Sequence, residues 1–218
     1  MRIMDWLNGH VDLINREALQ QLTKDELGKR IVKAQEVKAS TGAELERWKL
    51  AAEAELTNNF KGLGAYHEST PEELNLHGRP LPMLCVWSQE GDLYKCRACV
   101  CGNFASVDPT QQSWTAQAKP SSMLAALKLG CSREWMISKH DVKGAFLNAR
   151  IPGGKIGIVA PPVQWVRWGL VKPGTFWTLE KAVYGLRESP YLWGAERDKQ
   201  LTAMRWFVKN RELSLIHI

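Results

Sequence analysis

Asp141 is the residue of this chain to which a chemistry is most readily assigned. It lies in Ile137-Ser138-Lys139-His140-Asp141-Val142-Lys143-Gly144-Ala145-Phe146, where an apolar run gives way to a turn. A carboxylate at a strand end meets solvent and a cation without burying an unpaired charge. Magnesium takes a few carboxylates together with substrate phosphate oxygens. The same Asp also suits the cap of the next turn, and the local pattern leaves both roles open. A second cluster is Cys96-Arg97-Ala98-Cys99-Val100-Cys101. Its C-x-x-C unit resembles half a zinc site, but no second Cys or His pair lies at finger spacing. Strand alternation would put Cys99 and Cys101 on one face and Cys96 on the other, which favours buried thiols over a metal or redox module.

The elements that must position these residues follow an α+β order. Thr23 and Glu26 form a capping box ahead of a helix predicted over 24–38, and Thr41 and Glu44 repeat the relation for a second helix. Leu45, Trp48, Ala52 and Leu56 make a stripe at helical spacing, ended by Gly62 and Gly64. Met83–Ser88 and Leu93–Val100 read as a β-hairpin. Pro120 opens a short helix through Leu129, with Gly130 at its C′ position. Trp135–His140 is predicted as a strand ending at Asp141, followed by short strands at 156–159 and 176–179. Ser189 as N-cap and Pro190 as first helical residue start a helix to about Trp206. Helices and strands do not alternate as in a doubly wound sheet.

Composition excludes several classes. With 44% hydrophobic and 24% charged residues the chain matches a globular protein, not a disordered one. No apolar run approaches the ~18 residues of a membrane span, and the first residues lack a secretory h-region. An intracellular protein is therefore expected, and its five cysteines are not expected to form a disulfide framework. Charge is uneven: residues 1–78 carry 10 Lys+Arg against 13 Asp+Glu, and residues 79–218 carry 19 against 10. Net charges of −3 and +9 make up the total of +6 and point to a polyanionic partner or to a well-solvated cationic surface.

Four segments together carry a resemblance. Asp141-Val142-Lys143-Gly144-Ala145-Phe146-Leu147-Asn148 resembles the first catalytic motif of copia-type (Pseudoviridae-like) retrotransposon reverse transcriptases. Tyr184-Gly185-Leu186-Arg187-Glu188-Ser189-Pro190-Tyr191-Leu192-Trp193 is similar to the Tyr-Gly-Leu-Lys-Gln-x-Pro-x-x-Trp segment of that family. Tyr94–Phe104 is similar to its Tyr-Lys-Ala-Arg fingers strand, and Trp48, Ala52, Glu55 and Leu56 to its opening helix. The motifs occur in family order over residues ~45–207.

The resemblance implies a right-hand polymerase fold: fingers plus a partial palm, with an incomplete antiparallel sheet and helices on one face. It implies an RNA-directed DNA polymerase using two Mg2+ (or Mn2+) ions, a template-primer of RNA or DNA, and dNTPs. Asp141 would be the catalytic metal ligand, with the Val142 backbone carbonyl close to the ions. Lys95 and Arg97, on one face of a strand by alternation, would hold the incoming triphosphate; as edge-strand charges they would instead oppose aggregation. Phe146 would pack under the sugar and exclude a 2′-hydroxyl. Gly185 would let backbone approach the nascent base pair, and Arg187 would add a phosphate contact.

The chain departs from the family pattern in one decisive respect. The Tyr-x-Asp-Asp turn expected downstream is absent, and no Asp-Asp pair occurs anywhere. A two-metal site needs several converging carboxylates, so this chain alone is expected to be inactive and its open palm edge to be sticky. Leu213–Ile218 looks like the in-frame translation of a sequencing adapter, which implies truncation. The expected organisation is an N-terminal helical segment or linker over 1–44, fingers and partial palm over 45–207, and a tail over 208–218. The rest of the Pol polyprotein would be its partner, in a cytoplasmic particle or the nucleus and away from membranes. A different reading is a non-catalytic nucleic-acid-binding remnant of a degenerate element.

Overall fold

The computed structural model describes residues 29–77, 79–105, 113, 119–137, 141–152 and 157–204, which group into two units. The described part of the first unit runs from Lys29 to Ala52 and takes in Cys85–Arg97. The second comprises Glu53–Leu84 and the described chain from Ala98 onward.

In the first unit, β1 (Lys29–Val32) pairs antiparallel with the outer end of β3 (Leu81–Glu90), from Lys29↔Glu90 to Val32↔Trp87. This replaces the middle of the helix expected over 24–38. Lys29-Arg30-Ile31-Val32 ends in two β-branched residues, and the free side of β3 supplies hydrogen bonds that outweigh weak helix propensity. Among the described residues the helix survives as α1 (Ala34–Ala39). Thr23 and Glu26 lie outside the described residues. The predicted hairpin is present: β4 (Leu93–Val100) returns beside β3 after Gly91, whose φ of 56° suits a residue without a Cβ. The first thirteen residues of the second predicted helix form α2 (Gly42–Ala54). Its Trp48 is fully buried, edge-on to Trp87 at 5.6 Å and Tyr94 at 4.5 Å between ring centroids. The stripe Leu45, Trp48, Ala52 is thus the buried side of the helix, with Leu45 half-buried.

In the second unit, the same helix widens into a π-helical stretch, Glu55–Lys61. Gly62 N–H donates to Thr57 O at 2.8 Å and Ala65 N–H to Phe60 O at 2.8 Å, both spanning five residues. Phe60 is buried among Tyr66, Trp165 and Trp177, and Tyr66 stacks on Trp177 with centroids 4.0 Å apart. These rings cement a mixed sheet. β2 (Tyr66–Glu68) pairs antiparallel with β6 (Trp177–Leu179), β6 antiparallel with β5 (Ile158–Ala160), and β5 parallel with the start of β3, Leu81↔Val159. The sheet was expected to be antiparallel; the β3–β5 pair corrects that. Such a pair needs a long crossover, here the whole stretch between Glu90 and Ile158.

Three further helices are α3 (Pro71–His77), α4 (Pro120–Ser132) and α5 (Val163–Arg167). α4 runs past Gly130, and Glu134 with φ 56° takes the left-handed position assigned to that glycine. Trp135 N–H donates to Gly130 O at 2.9 Å and Glu134 N–H to Cys131 O at 3.3 Å, a Schellman closure. The following Trp135–Ile137 is irregular and exposed, not the predicted strand; residues 138–140 lie outside the described ones. The last helix, α6 (Ser189–Ala203), starts one residue earlier than predicted, with Glu188 at the N-cap. Among the described residues no helix is long and apolar enough to cross a membrane.

Candidate functional site

Asp141 and Val142 are exposed, and the segment after them explains why. Gly144 has φ 58° and reverses the chain into a 3-10 turn, Ala145–Asn148. The Asn148 side-chain amide donates back to Lys143 O at 3.2 Å and Gly144 O at 3.0 Å, which closes the turn. Leu147 and Ala149 are buried, and Ala182 N–H donates to Ala149 O at 2.8 Å. Ile151 N–H donates to Glu180 O at 2.9 Å, beside an Arg150–Lys181 bridge. The turn is thus anchored at its C-terminal end and presents Asp141 to solvent from its N-terminal end. That geometry suits a cation and costs no burial of charge.

Phe146 is half-buried and meets the Tyr184 ring at 5.1 Å with planes inclined 62°. Tyr184 begins the second matched segment, and Val100 N–H donates to Tyr184 O at 2.7 Å. Gly185 follows with φ 93°; a Cβ there would overlap the Val100 carbonyl oxygen. A Cβ on Gly102 would in turn overlap the Gly185 carbonyl oxygen. Two backbones therefore cross at a distance only glycine permits. Three segments far apart in sequence converge here: the end of β4, the Asp141 turn and the Tyr184–Leu186 run. Ser189, fully buried, donates from Oγ to Val183 O at 2.6 Å and braces the run from below. Arg187 is exposed beside it.

Residues 87–216 match the family described as reverse transcriptase (RNA-dependent DNA polymerase). The chain belongs to that reverse transcriptase family. No curated protein sequence and no solved structure gives a significant match to it. By family its activity is RNA-directed DNA polymerisation, with a nucleic-acid template and dNTPs as ligands.

The reverse transcriptase match also covers Lys95 and Arg97, which belong to the first unit. Both are exposed on one side of β4, whereas Cys96, Ala98 and Val100 point inward, as alternation predicts. The Lys95 ammonium pairs with the Glu90 carboxylate at 2.8 Å, so it must exchange that partner to hold a phosphate. Cys99 is half-buried on the side opposite Cys96.

Reverse transcriptases use divalent metal ions. Among the described residues no group of three or more His, Cys, Asp or Glu could hold one. Asp141 and the Val142 carbonyl alone therefore do not fit a two-ion centre.

In the sequence Glu55 is legible only as part of the opening helix, and its supporting role at this site escaped sequence reasoning. Glu55, buried at the start of the π-helical stretch, accepts Ala98 N–H at 3.1 Å and a hydrogen bond from Asn59. It ties the helix to β4 two residues before the Val100 crossing. The available signal was a carboxylate beside Leu56 on the apolar stripe, where a solvated Glu does not belong.

Proposed function

We propose that this chain supplies the fingers and first palm segments of a copia-type retrotransposon reverse transcriptase, part of a Pol polyprotein. Asp141 is its catalytic carboxylate for magnesium-dependent, template-directed nucleotidyl transfer. Phe146 is the sugar-sensing aromatic, Lys95 and Arg97 the triphosphate contacts, and Gly185 and Arg187 the template-side contacts. The convergence of the three matched segments through Tyr184, with Asp141 left facing solvent, carries this reading. Since the sequence holds no Asp-Asp pair, the chain is inactive until partner carboxylates complete the site. It acts inside the cell, in a cytoplasmic particle or the nucleus.

Primer extension on an RNA template with magnesium and dNTPs tests this directly. The expected result is template-primer binding without extension by the 218-residue chain. Extension should appear when a downstream segment with the Tyr-x-Asp-Asp hairpin is fused, and should vanish again in D141N. Extension by the unfused chain would overturn the incompleteness; a D141N fusion as active as its parent would overturn the role of Asp141.

The excess of nine positive charges over residues 79–218 favours a second reading, a non-catalytic nucleic-acid-binding remnant. A fused protein that binds template-primer yet never extends it would support that reading over the first.

A further inference from the structure

A group of titratable side chains at the β2 end of the second unit's sheet has no part in the polymerase reading. His67, on β2, sits between two carboxylates: Nδ1 lies 2.8 Å from Glu180 Oε1 and Nε2 lies 3.0 Å from Glu73 Oε1. Glu180 directly follows β6, and Glu73 belongs to α3. The other Glu73 oxygen accepts Thr70 N–H at 2.8 Å, closing a capping box with the Thr70 hydroxyl, and Thr178 Oγ1 at 3.2 Å. Thr178 Oγ1 also lies 2.8 Å from Ser69 Oγ. One imidazole thus joins a strand, a helix and the end of a second strand.

A neutral imidazole can donate from only one ring nitrogen, so it can satisfy only one of the two carboxylates. Only the imidazolium donates to both. We propose that His67 is a proton-operated latch that fastens α3 to the β2–β6 end of the sheet. β2 is the terminal strand there, and an unfastened strand edge is a template for pairing with other chains.

The charged and titratable groups around the latch are Tyr66 and Glu68 on its own strand, Glu72 and Glu73 on α3, and Glu180 and Lys181 after β6. Arg150 bridges to Lys181. Among the described residues no Lys or Arg pairs with Glu73 or Glu180. The Glu73 hydrogen bond, helped by Glu180 and opposed by partial burial, raises the His67 pKa above its ordinary value. The Thr70 backbone N–H, then His67, lowers that of Glu73. Stabilisation from His67 is complete below the unfolded imidazole pKa of about 6.5 and is lost as pH rises through the raised folded value. Stabilisation from Glu73 is present above the unfolded carboxylate value and is lost as pH falls through the lowered one. The latch is closed between these limits and opens as pH rises through the raised His67 value.

A proton NMR titration of the full chain, with His67 assigned from H67Q, is expected to place its midpoint above about 6.5. The opening equilibrium from amide exchange at Leu74, whose N–H is held by Thr70 O at 3.1 Å, should rise as pH passes that midpoint. The expected rise is roughly threefold for partly exposed pairs. The step should shrink in E180Q, which leaves the capping box intact, and disappear in H67Q. A midpoint at or below the ordinary value overturns the latch, as does a Leu74 step unchanged in both variants. If H67Q fails to fold, the His67 resonance is assigned sequentially instead, and its midpoint and the E180Q exchange decide.

Discussion

Asp141 owes its availability to its neighbours rather than to its own contacts. Gly144 turns the chain, Asn148 locks the turn, and buried Leu147 and Ala149 anchor it, so the carboxylate stays in water. Phe146 is held edge-on by Tyr184, which fixes the orientation of its ring. In a completed enzyme, Phe146→Val is expected to admit ribonucleotides, read as the ratio of ribo- to deoxyribonucleotide incorporation; an unchanged ratio would remove the assigned role. Gly185 is constrained more severely. Its positive φ and the Val100 carbonyl leave no room for a methyl group. Gly185→Ala should destabilise the chain by about 3 kcal/mol or more, measured by urea denaturation, through combined backbone strain and overpacking.

At the scale of elements, the π-helical stretch Glu55–Lys61 links β4 to the aromatic cluster of the sheet. It brings Glu55 to the Ala98 N–H and Phe60 into the aromatic cluster of the sheet. A buried N–H left without an acceptor costs about 1–3 kcal/mol. Glu55→Ala should lower unfolding stability by an amount in that range. Glu55→Gln keeps an acceptor oxygen and should retain most of it, so the two variants compared by denaturant midpoint separate the hydrogen bond from the charge. Equal losses would show that the charge, not the acceptor, holds β4. The α4 helix behaves differently: Met123, Leu124, Leu127 and Leu129 are all exposed, and Gly130, which has no side chain, is its one buried residue among those described. Its helicity rests on the Pro120 start and the Schellman closure at Glu134, which need no core.

For the molecule as a whole, charge is the property with the clearest consequence. The basic excess lies beyond residue 78, in the part that carries the reverse transcriptase match. Phosphate contacts release counterions, so single-stranded nucleic acid should bind with affinity that falls on the order of tenfold to a hundredfold between 50 and 200 mM salt, for about four contacts. Fluorescence anisotropy across that range checks this, and a flat salt response would count against the basic surface as a binding face. Exposed apolar residues on α4 and at Trp135–Ile137 add a tendency to associate that low salt will not cure.

The sequence by itself determined the elements whose signals are local. The β3–β4 hairpin, the Leu45–Leu56 stripe, the strands at 158–160 and 177–179 and the α6 start all follow from periodicity, turn residues and capping. Alternation also placed Lys95 and Arg97 together on one strand face. Only the tertiary structure decided that Lys29–Val32 is a strand, because its partner β3 lies more than fifty residues away along the chain. The same holds for the parallel β3–β5 pair, the glycine crossing at Val100, the Glu55–Ala98 bond and the His67–Glu180 pair. Periodicity reports which side of an element is apolar. It carries no record of which distant backbone or carboxylate will arrive there, since that depends on how the chain closes on itself.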